Sequence, residues 1–564
     1  MKSLLVFPMV LFALTGAAHA TSYYVSDCGT GANGKCVAGN DSNAGTSQAA
    51  PWQTCAKVTA KFPSLSAGDQ VLFARGSAQT ACKLYYLSNL NSRAANPIVL
   101  GAYVPSWATN TTATPILNGT ASTYTLGLLN SGYSTHDEGY VIQDLHFIGP
   151  GITSTAIMPA LMMSNDVKYV TIRRIEVEGY RLGVQCDGGT NNPLSTGSDG
   201  VTEHIVIRDS NIHHNRGGGL LSACSNTLVE NNRFDNNGVG MLDHHIYLTN
   251  SGVQKVAAAS NQVVIRGNTL TNNAPYASTT ALLPTPGLCG AVAIIVHGLQ
   301  DGLVIENNTV AEPTVPASGS CWGISADSGG YGVKEGFTNV AIRGNTVINY
   351  ALGIGLDICD TCVIENNYVY SERPASAGIG APSKNYTSAI PGNTLNNRLT
   401  VRNNSVYMRN PTYGTVALRV SRDGGNHSVA SNLVYFGAGS TATTACFNTA
   451  GLPTTAFTTF DYNLCHFSAT AGVWDATRTS LGSQQAAGLD LHSLASNPML
   501  NTPVAPAFAL VVGTNSPAIK SGHPIMSSKF GLGGLRRDAT SDMGAQQQGA
   551  VVVVPSTPTS MSVQ

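Results

Sequence analysis

Five side chains of the kinds that do acid–base or metal chemistry stand at matched places in four short segments of a 564-residue chain. HIYLT (residues 245–249) carries His245 and Tyr247, AIIVH (293–297) ends on His297, GISAD (323–327) on Asp327 and GIGLD (353–357) on Asp357. The second residue of each segment, Ile246, Ile294, Ile324 or Ile354, is apolar, as an inward strand position requires. Strand alternation then sends the first, third and fifth residues outward. His and Tyr in such places supply a general base and a general acid. Asp327 and Asp357 share one offset in successive segments, which predicts two carboxylates roughly 5 Å apart if the segments stack as parallel strands. Like charges that close raise one pKa or bind a cation.

Two reactions use this set. In β-elimination of a uronate polymer, a base removes the proton beside a carboxylate that must first be neutralised. Asp327 and Asp357 would hold Ca²⁺ against that carboxylate, with His245, His297 or Tyr247 as base and acid. In glycoside hydrolysis the two aspartates would themselves be the catalytic pair, at a spacing near the retaining range of about 5 Å. The two histidines and the tyrosine beside the carboxylates favour elimination. A third reading is a surface that recognises sugar without reacting; aromatic platforms would support it, and of four tryptophans only Trp322 sits near this face. Arg419 is a candidate contact for a substrate carboxylate. Lys334, with Glu335 beside it, is on an insertion placed to fold over the site, although a solvated loop is its plainer role. His213 and His214 read as surface residues.

The elements that must position these residues are visible as repeats. The same register recurs in GVQCD, GLLSA, GIGAP and ALRVS, beginning at Gly183, Gly219, Gly378 and Ala417, so the polar set falls on four successive repeats, a run of about 15 Å. A second pattern, with VIENNTV (304–310) as its fullest copy, places inward residues at Ile142, Ile172, Ile207, Val229, Ile265, Ile305, Ile342, Ile364, Val401, Val429 and Phe460. Intervals between them run from 22 to 40 residues, as coils of about three short strands would give with loops inserted at fixed corners. Three residues after the anchors stand Asn232, Asn268, Asn308, Asn345, Asn367, Asn404, Asn432 and Asn463, with Ser210 in the same place. Stacked at the parallel spacing, their amides would form a ladder along one turn. The expected fold is all-β, a right-handed parallel β-helix of about 11–13 coils with terminal caps.

The chain ends carry a resemblance. TSYYVSDCGT with GNDSNAGTSQAAPWQTCAKV and AGDQVLFARGS resembles the opening of secreted parallel β-helix proteins of the pectate-lyase-like superfamily, and NSPAIKSGHP with RRDATSDMGAQQ resembles their closing segment. The resemblance implies the fold. That superfamily holds lyases, hydrolases, epimerases and surface proteins, and no signature of one member family is present, so it transfers no catalytic residue. An extended polysaccharide is the expected partner.

Only 11% of residues are charged and the net charge is −1, which argues against nucleic acid as a partner. Residues 1–20 read as an export signal cleaved near Ala20, and no later stretch is apolar enough to span a bilayer, so a secreted or periplasmic chain without membrane insertion is expected. A monomer is expected. The segments should then be 21–130 for the N-terminal cap and first coils, 131–465 for the repeats, 466–549 for the closing segment and 550–564 for a disordered tail. All 12 cysteines follow the signal. Their proximity and register predict six disulfides, namely Cys28–Cys36, Cys55–Cys82, Cys186–Cys224, Cys289–Cys321, Cys359–Cys362 and Cys446–Cys465.

Overall fold

The computed structural model describes residues 20–547 apart from 109–111, 130–136, 155–157, 189–199, 241, 250–261, 276–287, 315–320, 330–334, 374–376, 383–395, 412–414, 421, 470, 502–510, 533–535 and 538–539. The expected export signal, Lys334 and the expected tail therefore lie outside the described residues, Ala20 excepted. Three parallel sheets of 14, 13 and 13 strands run between Ser22 and Asp475, successive coils adding a strand to each. The first sheet holds the anchor column. Ile265 pairs with Ile305, Ile305 with Ile342 and Ile342 with Ile364, all fully buried. Each such isoleucine contributes on the order of 1.5–3 kcal/mol by leaving water.

The predicted ladder forms at the turn out of this sheet. Asn308 Oδ1 accepts from the backbone N–H and the Nδ2 of Asn268 at 3.0 and 2.9 Å, and the same pattern links Asn232 through Asn463. Ser210 enters it as expected, its N–H donating to Asn232 Oδ1 at 3.1 Å. The residue before each rung is left-handed, with φ of 54° at Asn231, 55° at Asn307 and 65° at Gly267. Asn and Gly tolerate that conformation best, which is the physical origin of the repeated ENN and RGN sequences. A shorter ladder lies at another corner, where Asn215 donates to Asn237 Oδ1 at 3.0 Å.

All six predicted disulfides are present, Cys186–Cys224 with Cα atoms 5.8 Å apart. At the N-terminal end the helix Cys55–Lys61, capped by the Thr54 side chain, lies over the first coils. The closing segment also returns along the side of the solenoid. Ser528 N–H donates to Asn403 Oδ1 at 2.8 Å, and buried Arg537 donates to Asn366 Oδ1 at 3.1 Å, so two left-handed asparagines of the turn also hold the C-terminal segment. Burial pushes the Arg537 guanidinium down to about 10. No described helix is long and apolar enough to cross a membrane.

The second sheet carries the pentapeptide segments. Its first strands are β1 (Leu84–Leu87), β2 (Leu126–Leu129), β3 (Leu161–Ser164), β4 (Leu182–Cys186) and β5 (Gly218–Ser222). Next come β6 (His244–Leu248), β7 (Val292–Val296), β8 (Trp322–Ala326), β9 (Leu352–Leu356), β10 (Ala377–Ala381) and β11 (Val416–Val420). The predicted register holds throughout: Val184, Leu220, Ile246, Ile294, Ile324, Ile354, Ile379 and Leu418 form one buried row.

Candidate functional site

Outward of that row, Tyr247 on β6 pairs with Ile295 on β7, and Ile295 with Ser325 on β8. His297, Asp327 and Asp357 follow the ends of β7, β8 and β9 and stay in the backbone ladder, their N–H groups donating to Leu248, Val296 and Ala326 at 2.9, 3.1 and 3.0 Å. Parallel pairing therefore sets these side chains on consecutive coils, as the shared offset predicts.

His297 Nδ1 lies 2.6 Å from the Asp327 carbonyl oxygen and 3.4 Å from Asp327 Oδ1. A carbonyl only accepts, so Nδ1 carries the proton, and in the neutral ring Nε2 is the acceptor nitrogen. Asp327 Oδ2 accepts from Ser325 Oγ at 2.8 Å. Tyr247 sits between two imidazoles, stacked on His244 and edge-on to His297, with both centroid separations 5.5 Å. His244, Tyr247, His297 and Asp327 line a cleft of about 690 Å³, with Arg181, Leu221 and Trp322 among the other walls.

His245 does not belong to this face. It is fully buried, its Nδ1 lies 3.2 Å from Asn237 Nδ2, and its ring centroid is 6.4 Å from that of Phe234 on the third sheet. The first residue of each segment is at a corner and turns inward, against the outward expectation. The column Gly183, Gly219, Gly323, Gly353 and Gly378 carries the signal for this: a Cβ at Gly219 would stand 2.6 Å from the Phe234 ring. Burial pushes His245 down to about 4, so it is neutral at neutral pH. His244, one residue earlier, is the histidine that faces the cleft. Burial likewise pushes it down to about 4, and its Nδ1 sits 2.9 Å from the Val292 carbonyl oxygen.

Asp357 is buried one coil beyond the cleft. Burial first, and then the Asp327 charge among smaller contributions, raise its carboxyl to about 6 against donation from the Ile358 N–H and Asn396 Nδ2 at 2.9 and 3.4 Å. A folded pKa above the unfolded value near 3.8 means that the native state holds the proton more tightly, so stability falls as pH rises from about 4 through 6 and then levels. Asp357→Asn should remove that slope. Relative to the parent it should gain on the order of 2–3 kcal/mol at pH 8 and far less at pH 4, as read from urea unfolding; an equal effect at both pH values would contradict the assignment.

Arg419 is half-buried on β11, opposite Gly380 and two strands from Asp357, with burial lowering its pKa. Glu335 departs from the solvated-loop expectation: it is fully buried and its Oε1 accepts from the Gly298 N–H at 3.3 Å. His213 and His214 are half-buried in a network on the third sheet, where His213 Nε2 meets Glu176 Oε1 at 3.0 Å. Among the described residues, no group of three or more His, Cys, Asp or Glu is arranged to hold a metal ion. Asp327 and Asp357 thus offer two carboxylates whose oxygens already accept hydrogen bonds.

The family model for the right handed beta helix region matches residues 159–328, which include β3 to β8 and the cleft residues from Arg181 to Asp327. The chain is a right-handed parallel β-helix. No curated protein matches this β-helix in sequence. Among solved structures it is similar to an alginate lyase from Paenibacillus sp. str. FPU-7 (14% identity, 64% of this chain and 98% of that one, TM-score 0.37). It is also similar to the A-module of the Azotobacter vinelandii mannuronan C-5 epimerase AlgE6 (13%, 79% and 95%, 0.41) and to a GH136 lacto-N-biosidase from Eubacterium ramulus (12%, 85% and 67%, 0.36). A fold alone does not fix a reaction, and the chemistry must be argued from the cleft.

Proposed function

We propose that this β-helix is an exported, carbohydrate-active enzyme that cleaves a uronate-containing polysaccharide by β-elimination in the cleft on β6 to β8. The observation that carries the reading is the His297 ring held by the Asp327 carbonyl at 2.6 Å, with Tyr247 edge-on to it inside the cleft. His297 Nε2 takes the proton from the ring carbon that bears the carboxylate. The electron pair forms the new double bond, the glycosidic C–O bond breaks, and Tyr247 protonates the leaving oxygen. Asp327 fixes the tautomer and orientation of His297. Arg181 is the groove cation in place to neutralise the substrate carboxylate. Calcium held by Asp327 and Asp357 is the alternative neutraliser. If Arg181 serves, activity survives chelation and Arg181→Ala loses it; loss on chelation, restored by Ca²⁺ alone, would instead establish the metal. The test of the reaction is continuous ultraviolet absorbance of unsaturated product against a panel of alginate, polygalacturonate and neutral polymers.

Hydrolysis is the second reading, favoured by one observation. Asp357, its carboxyl raised to about 6 by burial, stands one coil from Asp327, and a carboxyl that holds its proton is what the acid of such a pair needs. New reducing ends without absorbance would select it, and retention of polymer without either product would leave a sugar-binding surface.

A further inference from the structure

The second sheet continues past the cleft toward the N-terminus, and its outer face there is aromatic. On β1, Leu84 and Leu87 both face inward and pair with Leu126 and Leu128, so two residues stand between them where β2 has only Gly127. This bulge turns both Tyr85 and Tyr86 outward. Tyr86 adopts φ 56°, a conformation rarely held by a bulky residue, and is 53% exposed. Its ring meets Tyr85 at 4.0 Å between centroids, and Tyr85 meets Tyr124 at 5.9 Å. Gly127, beside Tyr124, is bare of any side chain. Two coils on, after β4 and toward the cleft, Asp187 Oδ1 accepts from Gln185 Nε2 at 3.0 Å.

We infer that Tyr85, Tyr86 and Tyr124 form a distal platform that stacks on pyranose rings of the same polysaccharide chain that enters the cleft. The inference rests on the reading of the cleft as a polysaccharide site. Three points support it. The platform lies on the same outer face of the same sheet, with the row Leu84, Leu126, Leu161, Val184, Leu220 and Ile246 facing inward beneath both. Tyrosine rings offer apolar faces with a polar edge, suited to the C–H faces and hydroxyls of a sugar. Finally, β1 is five strands from β6, roughly 24 Å at the parallel spacing, so an extended chain advancing about one ring per coil would reach the platform only beyond the length of a short oligomer.

The experiment uses the whole protein with alginate and polygalacturonate, each as polymer and as trimer. Retention is read by affinity electrophoresis in gels containing polymer, and KM by product formation. Tyr86→Ala and the pair Tyr85→Ala with Tyr124→Ala should weaken polymer retention about 3- to 10-fold per ring removed and raise the polymer KM alike, leaving trimer kinetics and the melting temperature unchanged. Tyr86→Phe should retain most of the binding. Equal losses for trimer and polymer, unchanged polymer retention, or no retention of either polymer by the parent protein would overturn the platform. Because retention is read without turnover, loss of retention in Tyr86→Ala with no cleavage of any polymer would sustain the platform while overturning the lyase.

Discussion

His297→Ala should lower kcat on the polymer substrate by on the order of 10²–10⁴-fold, the usual contribution of a positioned base, while KM changes by no more than a few-fold. The split follows from geometry. His297 reaches the cleft from the end of β7, and its Nδ1 is committed to the Asp327 carbonyl, so what it offers substrate is the Nε2 lone pair. A lone pair matters when the proton moves and little when the sugar binds. Asp327→Asn should cost less, because the backbone carbonyl that accepts from Nδ1 remains. The Ser325 hydroxyl can still donate to the retained amide oxygen. A His297→Ala variant with parental kcat and a raised KM would make this residue a binding contact and remove the base from the mechanism.

Asn308→Ala should destabilise the fold by roughly 2–5 kcal/mol, far more than an exposed Asn→Ala change. Asn308 Oδ1 is the acceptor for both the N–H and the Nδ2 of Asn268, and Asn308 Nδ2 donates to the Ile265 carbonyl at 2.9 Å and to Asn345 Oδ1 at 3.0 Å. Alanine leaves the Asn268 N–H and the Ile265 carbonyl, both buried on the preceding coil, without these partners, and neither can reach water. Because each coil touches only its neighbours, the loss should concentrate in adjoining coils. Hydrogen exchange should therefore accelerate most at residues 265–270 and 342–347. A change below about 0.5 kcal/mol in urea unfolding would mean that the ladder contributes little to stability.

The fold was legible because two periods were fixed by packing. The inward isoleucines recur because each coil needs the same core contact, and the asparagines because only a side chain with both donor and acceptor continues the ladder in both directions. Position within the pentapeptides was legible where simple alternation applies, at Tyr247, and where the offset put Asp327 and Asp357 on adjacent coils. It failed at His245 because the strand turns a corner there, and two consecutive residues, His245 and Ile246, both face inward. The small residues in that column held the clue, since space for a side chain is what a corner lacks. His244 was missed for the same reason, and Arg181 because it reaches the cleft from a neighbouring coil. Tyr85 and Tyr86 were hidden in a segment read as the N-terminal cap and first coils, where the bulge that exposes both depends on pairing with a strand about 40 residues away.

The most direct test of the central claim is mass spectrometry of the fragments from a defined oligouronide that the protein cleaves. β-Elimination adds no water, so the masses of the two fragments should sum to that of the parent, and only the fragment from the reducing side of the cleaved bond, which carries the unsaturated uronate at its new non-reducing end, should absorb in the ultraviolet. Fragments that together exceed the parent by one water, with no unsaturated end, would show hydrolysis and contradict the assignment of His297 and Tyr247 as base and acid of a lyase.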